Sequence, residues 1–71
     1  MKMIRVISSH IKEIGYDYKD KDLYIRFWNN QMYVFYGAPL RDFHGMIAAD
    51  SKGQYFHEYI RDFFFYDTVY Y

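Results

Sequence analysis

An α+β domain is expected from this chain: a three-stranded antiparallel meander followed by a helical hairpin packed on one of its faces. Three observations lead there. β-Branched and aromatic residues alternate on both sides of Asn29-Asn30-Gln31. Gly37-Ala38-Pro39 then interrupts the strand pattern. Beyond it, apolar residues recur at three- and four-residue intervals, the period of a helix face.

In chain order, residues 2–7 (KMIRVI) fit a short strand or an extended lead-in. Residues 10–18 (HIKEIGYDY) read as a strand, with Ile14, Tyr16 and Tyr18 alternating. The apolar phase slips between Ile11 and Ile14, which points to a bulge near Lys12-Glu13 or to a later strand start. Lys19-Asp20-Lys21-Asp22 is a charged turn. LYIRFWNNQMYVFY (23–36) forms the hairpin, because the Asn pair favours a turn. Centring that turn on Asn30 sets Phe27 opposite Tyr33, Ile25 opposite Phe35 and Tyr24 opposite Tyr36. Pro39 suits the first position of a helix, and Leu40, Phe43 and Ile47 share one face of it. Ser51-Lys52-Gly53-Gln54 has the form of a capping box, so a second helix starts there. Its stripe is Tyr55, Phe56, Tyr59, Ile60 and Phe63.

Side chains alternate along a strand, so one hairpin face carries Leu23, Ile25, Phe27, Tyr33 and Phe35. Those residues are expected to form the core against the helices. The other face carries Tyr24, Arg26, Trp28, Met32, Val34 and Tyr36, where an antiparallel sheet normally turns polar side chains to water. Another subunit or a flat ligand is expected to cover it.

Composition limits what that cover is. A 71-residue chain buries only about 60% of its unfolded surface and is marginal alone. It has no cysteine for disulfide reinforcement, a composition that fits a reducing cytoplasm, and oligomerisation is the remaining route to buried area. The start of the chain carries charges too early for a signal-peptide core, and no apolar run is long enough to span a bilayer. His10, His44 and His57 lack a recognised metal-ligand spacing, so neither metal nor cofactor is expected. Nine Lys and Arg offset nine Asp and Glu, interspersed along the chain. Long nucleic acid usually demands a basic excess. A ligand with one to three phosphates needs only a few cations. No nucleophile motif, Gly-rich phosphate loop or HExxH helix is present, so a non-enzymatic role is expected.

The segments IGYD (14–17), LYIRF (23–27), YVF followed by GAP (33–39) and SKGQYFHEYIRD (51–62) resemble the KTSC domain. That module occurs alone in bacteria and phages and at the C-terminus of some lysyl-tRNA synthetases. The resemblance covers roughly residues 6 to 62 and is strongest in the last of these segments and in the central Tyr-x-Tyr-like element (33–35) before the proline. Phe35 stands where the family usually has a second tyrosine, and His57 where asparagine is common. RNA binding is the role suggested for the family. Residues 1–62 accordingly make the KTSC-like domain. Residues 63–71 (FFFYDTVYY) make an aromatic tail, whose Phe64, Phe65, Tyr66, Tyr70 and Tyr71 are expected at an oligomer interface or over the open sheet face, since exposed together they would form a large apolar patch.

The function expected is a nucleotide-binding module acting as a homo-oligomer. A phage-type protein that sequesters a cyclic-nucleotide immune signal is a setting such a chain suits. Aromatic rings would stack on bases, with Tyr24, Trp28 and Tyr36 the candidates beside Arg26. Ser51, Lys52 and Gly53 would offer free backbone N–H groups to a phosphate, and Arg26, Lys52 and Arg61 would hold it through charge-assisted hydrogen bonds. An RNA-binding accessory domain and a purely structural protein-contact module are the competing readings.

Overall fold

The hairpin lies at the centre of a larger sheet than expected. The computed structural model describes residues 1–70. Five antiparallel strands run in chain order across it: β1 (Met3–Arg5), β2 (Ile11–Asp17), β3 (Asp22–Phe27), β4 (Met32–Tyr36) and β5 (Tyr66–Val69). Two helices, α1 (Leu40–Ala48) and α2 (Lys52–Tyr59), connect β4 to β5. The three-stranded meander is therefore corrected to five strands. The lead-in pairs with β2 as one edge, and the C-terminal tail pairs with β4 as the other. Short strands of this kind carry a weak period-2 signal, and a tail crowded with aromatics hides its alternation altogether.

The bulge near Lys12-Glu13 is present as a register shift between Ile11 and Glu13. It lets Ile11 and Ile14 share the helix-covered face, both fully buried. The hairpin register is shifted by two residues from the expected one, with Leu23 opposite Phe35, Ile25 opposite Tyr33 and Arg26 opposite Met32. The cause is a three-residue loop, Trp28 to Asn30, closed by Phe27 N donating to Gln31 O at 2.9 Å. Asn30 takes the left-handed conformation (φ 66°) that such loops require, and Asn29 Oδ1 accepts from Gln31 N. An even shift leaves every side chain on its face, so the expected division of the hairpin survives. Trp28, in the loop, leaves the strand face.

Leu23, Ile25 and Phe35 form the core with Ile11, Ile14, Tyr16, Ala38, Phe43, Met46 and Ile60. Pro39 is the N-cap of α1 rather than its first helical residue. Leu40 stays 37% exposed while Asp42, Phe43 and Met46 point inward. In α2 the Ser51 hydroxyl accepts from Gln54 N at 3.2 Å, one half of the capping box, but the Gln54 side chain donates to Glu58 instead of returning to the cap. The helix ends at Tyr59, so the inward stripe stops at Ile60, and Phe63 is exposed.

The second sheet face is covered largely from within. Val34 is 5% and Met32 9% exposed in the single chain. Arg26 lies over that face, 3.6 Å from Glu13 Oε1 and 3.7 Å from Met32 Sδ, while Tyr36 donates to Asp67 at 2.8 Å. Met3 packs on Gly15, where a Cβ would meet its sulfur.

Polar contacts help to hold the helices. Tyr16 donates to Ala38 O at 2.7 Å, and Tyr55 donates to Asp42 Oδ1 at 3.0 Å. The Tyr55 ring lies directly against Gly45, and a Cβ there would fall on it. Gly45→Ala is expected to push α1 from α2 and to destabilise the fold by about 1–3 kcal/mol, the usual penalty of overpacking, read as a lower urea midpoint. Burial raises the Tyr16 and Tyr55 hydroxyl pKa values above the ordinary 10.0, with Asp42 adding to both. These groups keep their protons longer folded than unfolded, so their contribution is complete below pH 10 and is lost as pH rises through the raised values. Thermal melts are expected to be insensitive to them up to pH about 9 and to fall steeply in the alkaline range above the usual tyrosine pKa.

Candidate functional site

Where α2 crosses the sheet it leaves an open groove on one side, built from three arms that share Phe27. The largest, about 490 Å³, lies between the β2 lead-in and the start of α2 and is lined by Ser9, His10, Ser51, Gly53, His57 and Arg61 among others. A second, about 220 Å³, is bounded by Phe27, Tyr33, Phe35, Phe56, Tyr66 and Arg61. A third, about 440 Å³, runs past Tyr33 to Trp28 and Asn29.

The aromatic arm is a closed ring of contacts. Phe56 meets Phe27 edge-to-face at 5.5 Å and Phe35 edge-to-face at 5.4 Å. Phe35 contacts Tyr66 at 5.5 Å, Tyr66 contacts Tyr33 at 5.8 Å, and Tyr33 returns to Phe27 at 5.7 Å. Four of the five come from adjacent strands β3, β4 and β5, where alternation brings them to one face; α2 supplies the fifth. Edge-to-face packing holds the rings in place through their quadrupoles.

The polar arm is ordered by its loop. Ser8 Oγ accepts from the backbone N–H groups of His10 and Ile11, both at 3.2 Å, and Ser8 O accepts from the Trp28 indole at 2.8 Å. Trp28 N donates to His10 O at 3.2 Å. This sets the His10 ring on Gly53, so close that a Cβ at that position would lie 3.2 Å from Cδ2. Gly53, His57 and Arg61 follow at intervals of four and therefore share one side of α2 and its C-terminal turn. The chain turns there because the N–H groups of Ile60 and Arg61 both donate to Phe56 O. The first turn of α2 presents backbone N–H groups with no intrahelical acceptor, at the positive end of the helix dipole.

The sequence-derived site residues divide between two places. Ser51, Gly53 and Arg61 line the groove, and Trp28 borders its third arm. Arg5 and Lys12 sit over the Trp28 ring, 5.5 and 5.7 Å from its centre. Lys52 does not reach in: its Nζ donates to Ala49 O at 2.8 Å and closes the C-terminal end of α1. Tyr24, Arg26 and Tyr36 alternate with the core residues and so lie on the opposite sheet face. Desolvation raises the Tyr24 hydroxyl pKa, and the hydrogen bond to Asp67 raises that of Tyr36. Of the tail residues, Phe64 packs against the chain's own core and Tyr66 joins the aromatic ring, while Phe65 and Tyr70 are 89% exposed. Tyr71 lies outside the described residues. Sequence reasoning missed His10, His57, Phe27, Tyr33 and Phe56 as groove residues. The four-residue spacing of Gly53, His57 and Arg61 was the available signal for part of that set.

Comparison with known proteins places the chain. The KTSC domain profile matches residues 7–64. A lysine–tRNA ligase from Trichormus variabilis is 32% identical over 67 residues, covering 94% of this chain but only 12% of that enzyme. A protein from Tsukamurella paurometabola is 36% identical over 50 residues, 70% of this chain and 75% of the relative. The crystal structure of a KTSC domain protein from Yersinia pestis superposes with a TM-score of 0.93 at 32% identity, over 97% of both chains. The five-stranded sheet with its helical hairpin, and a match across nearly all of its length, make this chain a member of the KTSC domain family.

Proposed function

We propose that the chain is a non-enzymatic nucleotide-binding module that holds its ligand in the groove beside α2. One observation carries the reading: the aromatic arm opens into the polar arm through shared walls, Phe27, Phe56 and Arg61. An apolar slot of π faces suits a nucleobase. The adjoining 490 Å³ arm is of the usual size for a small-ligand site and is lined with groups that suit sugar and phosphate. The α2 N-terminus, Arg61, His10 and His57 converge there, an arrangement that favours an anion. Zero net charge favours a ligand with few phosphates over a long polymer. Capture without turnover, of a cyclic nucleotide for example, needs nothing beyond these groups.

A second reading, a short single strand of RNA, draws on the third arm. There the groove continues from Phe27 to Trp28, with Arg5 and Lys12 beside the indole. The 12% of a lysine–tRNA ligase that this chain matches makes an RNA-handling context a reasonable one to test.

Calorimetric titration with mono-, di- and cyclic nucleotides and with single-stranded RNA, at about 50 and 200 mM salt, separates the two. Nucleotide binding with less than about a tenfold loss over that range is expected, because few counterions are released. Steep loss with RNA and none with nucleotides would replace the first reading by the second. Arg61→Ala is expected to weaken nucleotide binding about tenfold or more, the worth of a hydrogen bond to a charged group (about 1.5–3 kcal/mol). Phe27→Ala is expected to cost about one stacked base, 1–3 kcal/mol. Arg26→Ala, on the far face, is expected to leave the affinity unchanged. Loss on Arg26→Ala with none on Arg61→Ala would move the site to that face.

A further inference from the structure

The two edges of the sheet differ in how they are guarded. β1 is preceded by Lys2 and ends at Arg5, the charged flanking that keeps strand edges from pairing. β5 and its flanks, Phe65 to Tyr70, contain no lysine, no proline and no bulge, and their one charged side chain, Asp67, accepts from Tyr36. Phe65 and Tyr70 stand 89% exposed at either end of this edge. We propose that β5 pairs with β5 of a second copy of this chain, joining two sheets across a two-fold axis. This does not depend on the nucleotide reading.

The backbone defines the register. Tyr36 N donates to Phe65 O at 2.9 Å, so Phe65, Asp67 and Val69 turn their N–H and C=O groups toward β4. Tyr66 and Thr68 turn theirs outward, and in the proposed dimer Tyr70 continues the strand with the same direction. Two-fold antiparallel pairing also requires that facing residues lie on the same side of the sheet. One register uses all three outward residues: Thr68 faces Thr68 of the partner subunit, and Tyr66 faces Tyr70 of the partner subunit. Each of these pairs exchanges both backbone hydrogen bonds. Threonine opposite threonine and aromatic opposite aromatic are favourable cross-strand pairs. A slip one way places Asp67 against Asp67 of the partner subunit, like charges face to face. A slip the other way sets Val69 against Val69 of the partner subunit and gives up the pairing of Tyr66 with Tyr70 of the partner subunit. Tyr66 belongs to the aromatic ring of the groove, so Tyr70 of the partner subunit would extend that wall.

Sedimentation of the full chain at high micromolar concentration is expected to give a dimer, and Thr68→Pro a monomer with the native circular dichroism spectrum. Proline removes an N–H that points away from β4, so the intramolecular ladder is retained. Independently of that variant's folding, Thr68→Cys introduces the only thiol in the chain on the two-fold axis. The expected Cα separation of about 5.5 Å there permits a disulfide. Mild oxidation is expected to give a covalent dimer rapidly for Thr68→Cys and slowly or not at all for Val69→Cys. A wild-type monomer, a dimer that survives Thr68→Pro, or crosslinking as fast at position 69 as at 68 would overturn the proposal.

Discussion

Phe56 is the contact on which the arrangement of this domain depends. Its ring sits edge-to-face against both Phe27 on β3 and Phe35 on β4, and so fixes the height and direction at which α2 crosses the sheet. Once that crossing is set, Ile60 completes the core one turn on, and Gly53, His57 and Arg61 are left along the open side. The same ring walls both the aromatic arm and the polar arm of the groove. Core packing and groove geometry therefore share one side chain, and the candidate site is a consequence of how the helix is seated.

A domain of this size has little apolar surface to spare, and it uses polar groups to hold the helices in place. Asp42 is almost completely buried at the first turn of α1, where the helix dipole favours its charge, and the Tyr55 hydroxyl reaches it from α2. Among the described residues, its second oxygen is buried without a hydrogen-bond partner, which makes the Tyr55 contact the more costly to lose. The absence of a side chain at Gly45 lets the Tyr55 ring come near enough to make it. On the far face, Arg26 with Glu13 and Tyr36 with Asp67 spread polar side chains over Val34 and Met32. That face thus carries the polar side chains that the solvated side of an antiparallel sheet normally has.

Membership in the KTSC family defines the scaffold, and the functional reading rests on residues placed on it. The matched segment of the lysine–tRNA ligase is a small part of that enzyme, while the solved Yersinia pestis chain and this one match over 97% of each. The same unit is therefore found inside a long enzyme and as a chain of about this length. A binding function that needs no more than one groove and one sheet edge is compatible with both settings.

Alternation alone determined which side chains of the hairpin face the helices, because an even change of register cannot move a residue from one face to the other. The bulge after Ile11, the break at Gly37-Ala38-Pro39 and the Ser51 cap were equally local, each written in a few neighbouring residues. The KTSC resemblance rested on the same kind of contiguous segments. What the chain could not disclose locally was decided by contacts distant in sequence. Tyr66–Val69 reads as an aromatic tail until β4 offers it a partner, since a four-residue strand acquires its identity from the ladder it joins. His10 meets Gly53, and Phe27 meets Phe56, across more than twenty residues. Arg26 and Arg61 are both plain candidates for ligand contact in the sequence. Only the seating of α2 on one side of the sheet separates them, because a strand determines which residues alternate, while the tertiary structure decides which of its two faces has a groove.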